Sequence, residues 1–273
     1  MAVRRVPAGA LIASALGTIA HSPATAETLS PLKPWVLDYA DTQCVAQRQY
    51  GDAADPLTLA ILSAPNGETY ELIIARKHSG PGFAQELPGT VDFGHGPIKT
   101  WLLHYGAMTD KIEFYTFRIS ASDMAQARTA SAVTLRSGVR PNVTFSLANM
   151  TNLLKGLEAC TADLKTYWNM NGKEVGTIAV PSKGDVRRIF SDLDYPSEAM
   201  DRRQEGTAQF LLLIDQQGKV AGCHVLTASG SPALDGRGCQ VIRERAKFKP
   251  ARDKAGKPVR STYITPPVTW RMY

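Results

Sequence analysis

The chain has 273 residues, a formal net charge of +6 and 44% hydrophobic residues, which allows one large domain or two small ones. Its charged residues are interspersed, and no basic stripe with interleaved aromatic side chains is present, so the sequence indicates no nucleic acid as a partner.

The first 26 residues have the pattern of a secretory signal peptide. An arginine pair, Arg4-Arg5, precedes an apolar run over residues 6–20, and the small-residue triplet Ala24-Thr25-Ala26 follows. The run is shorter than the ~20 residues that span a bilayer. We therefore expect export to the periplasm and a mature chain that begins at Glu27 with a net charge of +4, because both arginines are removed. An uncleaved signal that anchors the protein to the membrane is the alternative.

Residues 27–168 are predicted to form a β-rich domain closed by a helix. Short β segments recur between Trp35 and about Ile119, and Asn66-Gly67 between two of them is a strong hairpin signal. Their spacing indicates a sandwich or a partly open barrel. The segment PGFAQELPGTVDFGHGP, residues 81–97, is rich in glycine and proline and is predicted to be a loop.

The apolar period then changes from that of a strand to that of a helix, which is predicted to end near Trp168. The apolar residues at helical spacing are Leu147, Met150, Leu153, Leu154, Leu157, Cys160 and Leu164. An even number of cysteines in an exported chain favours disulfides. Cys160 lies on the helical stripe and Cys44 in an early strand, so a Cys44–Cys160 disulfide would attach the helix to the sheet.

Residues 169–194 are predicted to be a linker because they contain three glycines and a proline, with one short strand at Thr177–Val180. Residues 195–273 are predicted to form a small domain of helix, two strands, helix and strand. In it a hairpin turns at Gln216-Gln217-Gly218, and the second helix has Ser231 as its N-cap and Pro232 at its first position.

The predicted fold class is therefore α+β. An amino-terminal β-sandwich or barrel with a closing helix precedes a small antiparallel sheet with helices on one face.

The stretch CHVLTASGSPALDGRGC, residues 223–239, could be a metal site, a hydrolase nucleophile loop or a disulfide-closed loop. Cys223 and His224 are adjacent in a predicted strand, so their side chains point to opposite faces and cannot easily share an ion. No Gly-x-Ser-x-Gly motif is present, and the spacing excludes a redox Cys-x-x-Cys motif. A Cys223–Cys239 disulfide is predicted instead, and we expect neither a metal nor a cofactor.

Residues 195–272 resemble the carboxy-terminal domain of the TonB family. The matching residues are, in order, Tyr195-Pro196, Ala199, Gly206, Ile214-Asp215, Gly218, Val225, Ser229-Gly230, Leu234-Asp235, Arg245, Phe248, Pro250-Ala251 and Gly256-Lys257-Pro258-Val259. The resemblance implies a binding domain rather than an enzyme. Its last strand would lie at a sheet edge and pair with a short extended peptide of an outer-membrane transporter.

On this chain the resemblance places the edge strand between Arg260 and Trp270. The predicted partner-binding residues are Arg260, Ser261, Thr262, Tyr263, Ile264, Val268 and Trp270. Pro266-Pro267 departs from the family pattern and removes two donors, which is tolerable only at an edge. These prolines either end the pairing there or protect the edge from any partner.

The leading hypothesis is a periplasmic binding protein that binds an envelope partner by β-augmentation. A peptide of an outer-membrane transporter is one such partner. A homodimer through exposed edges is a further prediction. The alternative is a divergent energy transducer with a retained amino-terminal anchor, although the chain lacks the Ser-xxx-His motif and the Pro/Lys/Glu-rich spacer that such a transducer needs. A mature terminus at Glu27 would favour the first hypothesis, and one at Met1 or Ala2 would favour the second.

A third interpretation makes the amino-terminal domain an enzyme. Its candidate residues are His78, Asp92, His95, His104 and Asp110. No triad, paired-carboxylate or phosphate-loop spacing supports catalysis, so we expect no enzyme. The aromatic residues of the predicted sheet are interpreted as core rather than as a ligand platform; they are Trp101, Tyr105, Phe114, Tyr115 and Phe117.

Overall fold

The structure is a computed structural model that describes residues 28–40, 42–80, 83–107, 111–138, 142–170 and 178–272. The predicted signal peptide, Glu27 and the candidate catalytic residue Asp110 lie outside the described residues. None of the helices in these ranges is long and apolar enough to cross a membrane.

Ten strands of the amino-terminal domain form one curled sheet, in which the order is β1-β10-β9-β6-β7-β8-β5-β4-β3-β2. Their bounds are β1 Thr28–Leu29, β2 Val36–Ala40, β3 Gln43–Gly51, β4 Pro56–Ser63, β5 Thr69–Lys77, β6 Phe83–Asp92, β7 Ile98–Ala107, β8 Ile112–Ser120, β9 Ala132–Ser137 and β10 Val143–Ser146. Alternate residues of these strands point into a common core, as the burial pattern of β8 illustrates.

The segment between β1 and β2 joins the two ends of this sheet. β1 pairs with β10, and Pro31 just after it forms a bridge to Tyr50 in β3. The Leu32 N–H also donates to the Gln49 carbonyl at 2.8 Å. The domain is therefore barrel-like, which confirms the prediction of a β-rich domain of this kind.

Two helices accompany the barrel, α1 at Ala121–Met124 and α2 at Met150–Tyr167. The buried face of α2 includes Leu154 and Leu157, which join the barrel core. The predicted Cys44–Cys160 disulfide is present and attaches α2 to β3. The closing helix is thus confirmed, together with its end at Trp168.

The predicted loop at residues 81–97 is wrong over Phe83–Asp92, which forms β6. Its proline, Pro88, is tolerated because β9 pairs only with Gly89–Asp92, so at Pro88 β6 is paired with β7 on one side and has no partner strand on the β9 side. A Cβ atom at position 89 would lie 3.1 Å from the Arg136 carbonyl oxygen and 2.9 Å from the Leu102 side chain. The glycine therefore permits a close approach of strands rather than marking a loop.

The carboxy-terminal domain has a four-stranded antiparallel sheet and two small satellite sheets. Its elements are β11 Ile178–Val180, β12 Lys183–Gly184, α3 Ser197–Asp201, β13 Gly206–Ile214, β14 Val220–Thr227, α4 Pro232–Arg245, β15 Phe248–Lys249, β16 Ala251–Asp253, β17 Pro258–Val259, β18 Ser261–Ile264 and β19 Val268–Trp270. The helix after Ser231 and the hairpin between β13 and β14 form where they are predicted.

The two faces of β13 are covered by different parts of the protein. Phe210 and Leu212 point to the α4 side, where they pack with Ile242 in one core. Leu211 and Leu213 point to the opposite side and belong to the same apolar cluster as the barrel. The predicted placement of helices on one face is confirmed, and the barrel covers the other face.

The described part of the predicted linker is paired rather than free. β11 pairs with β16, and β12 pairs with β15. Val186 is fully buried in the core beneath α4. This difference from a flexible coil arises because strands of two or three residues are too short to show an alternating pattern in the sequence.

Asp194, at the end of the predicted linker, connects the chain before α3 to α4. Its fully buried carboxylate accepts from Arg245 at 2.7 Å through both guanidinium Nη atoms and from Arg237 at 2.5 Å. The Ser191 N–H donates to it at 2.9 Å. The hydrogen bonds of Arg245 above all, with those of Ser191 and Arg237, hold the pKa of Asp194 well below its ordinary value.

The second predicted disulfide, Cys223–Cys239, joins β14 to α4. Its two cysteines are separated by 16 residues in the sequence, compared with 116 residues for Cys44 and Cys160. The stretch 223–239 is therefore a loop and helix closed by a disulfide, as predicted.

Candidate functional site

The last strand of the carboxy-terminal sheet is broken into two pieces that share one edge. β18 pairs with residues 211–214 of β13, and β19 pairs with residues 206–208. Both lie on the side of β13 opposite to β14. The edge position agrees with the predicted strand at Arg260–Trp270, but the strand is not continuous. We call β18 and β19 together the broken edge.

Thr265 holds the chain to β13 where the strand breaks. Its N–H donates to the Phe210 carbonyl at 2.9 Å, and its hydroxyl accepts from the Phe210 N–H at 3.1 Å. The Gln209 side chain donates to the Thr265 carbonyl at 2.9 Å. These bonds satisfy the main-chain N–H and C=O groups of Phe210 in β13, close to the point where Pro266 and Pro267 have no N–H to contribute. The break is thus a tightly bonded feature of the edge.

The outer side of β18 exposes main-chain groups to a partner. Neighbouring residues of a strand direct their N–H and C=O groups to opposite sides. Because the Thr265 N–H points to β13, alternation directs the N–H groups of Thr262 and Ile264 away from it. No strand of the described ranges pairs with that outer side. These two residues therefore offer an open strand edge.

A groove of about 470 Å³ lies beside β19. Its first wall consists of residues 190–192 and Tyr195. Its second wall consists of Val268–Trp270 and Arg271. The groove and the outer side of β18 therefore both lie along the broken edge, and together they form a candidate interaction site.

The seven predicted partner-binding residues differ in exposure. The exposed one is Ile264, the half-buried ones are Arg260, Thr262, Tyr263 and Val268, and the buried ones are Ser261 and Trp270. Trp270 is 6% exposed and packs edge-on against the rings of Phe190 and Tyr195. The Trp270 side chain therefore supports the core, and Ile264 and Thr262 present the accessible surface.

The barrel holds the start of the broken edge in place. The Asn169 side chain, which follows α2, donates to the Arg260 carbonyl at 2.8 Å. The Arg260 guanidinium lies over the Tyr167 ring, 4.4 Å from its centroid, as a cation–π contact. The amino-terminal domain thus contacts the residue immediately before β18, a connection that sequence reasoning missed.

Two of the histidines considered for catalysis meet at one carboxylate inside the barrel. His104 Nε2 lies 3.1 Å from a Glu113 carboxylate oxygen, and His78 Nδ1 lies 3.8 Å from the same oxygen. Arg76 forms an ion pair with the other oxygen. The Gln85 amide lies 3.1 Å from His104 Nδ1, which fits a neutral ring with its proton on Nε2. The Tyr115 ring stacks on His104 with centroids 4.0 Å apart.

The ionisation of this cluster follows from its burial and its charges. Burial lowers the pKa of His104 below its ordinary value, and the hydrogen bond with Glu113 offsets that effect only in part. Burial alone would raise the pKa of Glu113, but the hydrogen bonds of His104 and Arg76 lower it further than burial raises it. Burial also raises the pKa of Tyr115 to about 12. At neutral pH the cluster therefore holds a neutral histidine beside a charged carboxylate.

Acid is expected to destabilise the protein through His104. Because its pKa is lower in the folded state, its stabilising contribution is complete above about pH 6.5 and is lost as the pH falls below that value. The urea concentration at the midpoint of unfolding should decrease as the pH is lowered from 7.5 to 5. Glu113 stays ionised over this range, so the decrease does not arise from its protonation. In a His104→Gln variant this fall should be smaller.

A His224→Gln variant is the control for this measurement, because burial also lowers the pKa of His224, which lies on β14 and not in the Glu113 cluster. If only His224→Gln, and not His104→Gln, reduced the pH dependence, the assignment to His104 would be wrong.

The other candidate residues lie apart from this cluster. His95 is exposed in the turn after β6, and Asp92 Oδ1 accepts from the Gly94 and Gly96 N–H groups, so Asp92 shapes that turn. Tyr115 and Phe117 are core residues as predicted, whereas Trp101 is 67% exposed on the outer face. Across the described ranges, no group of three or more His, Cys, Asp or Glu side chains could hold a metal ion.

Comparison with known proteins gives one match. Residues 191–272 match the family model described as Gram-negative bacterial TonB protein C-terminal. The match spans less than a third of the 273 residues and begins at residue 191, so it includes Ser191 and Asp194. No curated protein and no solved structure matches the chain. Residues 191–272, which carry the broken edge, therefore match the TonB carboxy-terminal domain, and this match suggests a TonB-like role in envelope transport or interaction.

Proposed function

We propose that this protein is a periplasmic binding protein whose broken edge pairs with an extended segment of an envelope partner. The partner class that fits best is an outer-membrane transporter with an accessible peptide segment. Pairing by β-augmentation would use main-chain hydrogen bonds for affinity and alternate side chains for selectivity. No catalytic step is part of this proposal.

The observation that carries the proposal is the outer side of β18, where none of the described strands is a neighbour. Main-chain groups of Thr262 and Ile264 point to that side, and the Ile264 side chain is 57% exposed. An extended peptide could satisfy these groups without any change in the sheet. The family match over the same residues supports a protein-interaction role for this edge.

The position of the barrel supports the edge as the site of recognition. Leu211 and Leu213 of β13 are buried against the barrel, and Phe210 and Leu212 are buried against α4. Both faces of the sheet are thus occupied by this chain, so a partner can reach the sheet only through its edges. On the opposite edge, the Leu226 carbonyl of β14 accepts from Arg118 of the barrel, so one acceptor of that edge is already bonded within this chain.

Site-specific crosslinking in living cells tests the proposal. A photoreactive amino acid at position 264 is expected to form an adduct with an outer-membrane protein, and one at position 155, which is exposed on α2, is not. A Thr262→Pro substitution in the same background removes an outward donor and should lower the adduct yield about ten-fold, the loss that corresponds to about 1.4 kcal/mol.

Thr262→Val is the matched control, because it keeps the main-chain N–H and nearly the same side-chain volume. The adduct should persist in this variant. Equal yields in the proline and valine variants would show that main-chain pairing is not involved, and equal adducts at positions 264 and 155 would show that the edge is not the site.

A further inference from the structure

Six exposed cations lie on the satellite strands of the carboxy-terminal domain or next to them in the sequence, and we call them the basic strip. They are Lys183, Lys247, Lys249, Arg252, Lys254 and Lys257. Lys247 and Lys249 flank the buried Phe248, and Arg252 follows the buried Ala251, so these side chains point away from the core. The strip is distinct from the broken edge.

The register of the strands places like charges directly opposite one another. Lys183 of β12 is paired with Lys249 of β15. Like charges at directly opposite positions of an antiparallel pair are destabilising. In the adjoining pair Val180, which is 54% exposed, lies opposite Arg252. The strip therefore combines unfavourable repulsion with an exposed apolar side chain, and an anionic partner would relieve the repulsion.

None of the six cations of the strip forms an ion pair with a described residue. The Asp253 carboxylate accepts from the Ala255 and Lys257 N–H groups of its own turn, and Asp185 is paired with Arg187. The side chains of the strip are therefore not held by direct contact with a described carboxylate.

The net positive charge of the protein lies in the carboxy-terminal domain. In the predicted mature chain, residues 178–273 contain 16 Lys and Arg and 10 Asp and Glu, a net charge of +6, whereas residues 27–177 contain 13 and 15, a net charge of −2. The six cations of the strip belong to this positively charged domain. Such an asymmetric distribution attracts an extended anionic surface and orients the protein on it.

The types of cation indicate which anion would bind. Five of the six are lysines, which act as compact point charges on flexible stems, whereas arginine is suited to bidentate recognition of a single carboxylate. Flexible point charges around an exposed valine fit a layer of phosphates with an apolar zone beneath it. We propose that the basic strip binds the surface of an anionic lipid bilayer and thereby holds the protein at a membrane.

Vesicle flotation tests this proposal with the protein purified from the envelope of expressing cells. The protein should bind vesicles of phosphatidylglycerol and phosphatidylethanolamine at low salt, bind pure phosphatidylcholine vesicles poorly, and dissociate at high salt. Lys183→Glu should weaken binding roughly 25-fold, because each unit of charge near the surface contributes a factor of about five, or about 1 kcal/mol.

The Lys183→Glu variant separates binding from folding. It replaces the repulsion with Lys249 by an attraction, so its urea midpoint should stay the same or rise while its affinity falls. Lys155→Glu is the matched control, since Lys155 is exposed on α2 and the substitution changes the net charge equally. The loss of vesicle binding in Lys155→Glu should be at most half of the loss in Lys183→Glu.

Three results would overturn the proposal. The first is no binding to anionic vesicles at low salt. The second is an equal loss of binding in Lys183→Glu and Lys155→Glu, which would indicate an effect of net charge alone. The third is tighter binding to soluble polyglutamate than to vesicles, which would point to an acidic protein segment as the partner. None of these results bears on pairing at the broken edge, because Lys183 is not part of it.

Discussion

Replacing both Cys44 and Cys160 with alanine is expected to lower the free energy of unfolding by about 4 to 5 kcal/mol. The disulfide closes a loop of 116 residues that contains most of the barrel, so its loss gives the unfolded chain a large amount of conformational freedom. Both cysteines are buried in the barrel core, and α2 is attached to β3 at this point.

Urea denaturation of the variant under non-reducing conditions measures this effect. The control replaces Cys223 and Cys239, which close a loop of only 16 residues, and should cost about 3 kcal/mol. The two variants can be compared directly because each removes one disulfide and two sulfur atoms. A larger loss from the Cys223–Cys239 pair than from the Cys44–Cys160 pair would contradict the argument from loop length.

Replacing Asp194 with alanine is expected to lower the free energy of unfolding by about 3 kcal/mol. The substitution removes the charge-assisted hydrogen bonds of Arg237 and Arg245, whose side chains are 25% and 41% exposed, to the buried carboxylate that they share. It also removes the acceptor of the Ser191 N–H, so the chain before α3 loses its attachment to α4. Urea denaturation at pH 7 measures the loss.

The pH dependence of stability distinguishes the charge of Asp194 from its shape. Because its pKa is depressed in the folded state, its contribution is complete above the ordinary aspartate pKa of about 3.9 and is lost as the pH falls below that value. Asp194→Asn keeps the shape without the charge, so this variant should be destabilised at pH 7 and should lose less stability than the wild type on acidification. Equal stability of Asp194→Asn and the wild type at pH 7 would show that the ion pairs contribute nothing.

The amino-acid sequence by itself determined the features that depend on neighbouring residues. The helical period of Leu153, Leu157 and Cys160 predicted α2, because a helix brings residues three and four apart onto one face. Ser231 and Pro232 marked the start of α4 for an equally local reason. Both disulfides followed from the faces that the cysteines occupy, and the order of short motifs identified the TonB-like domain.

Sequence reasoning could have found part of the polar cluster in the barrel. Glu113 has the same parity in β8 as Tyr115 and Phe117, so it lies on the buried face. A carboxylate at a core position requires a cationic or hydrogen-bonding partner. That reasoning could not have identified Arg76 and His104 as the partners, because they lie on two other strands.

The tertiary structure alone decided where the open edge lies and what surrounds it. β6 is a strand because β7 and β9 pair with it, although its composition favours a loop. Where Pro266 and Pro267 interrupt the edge strand, the Phe210 main chain holds Thr265 to β13. The apolar run Phe210–Ile214 indicates a strand that is buried on both faces, but only the tertiary structure shows that the barrel covers one of these faces. These features depend on hydrogen bonds and apolar contacts between residues distant in the chain, and local periodicity carries no information about which distant strand will provide them.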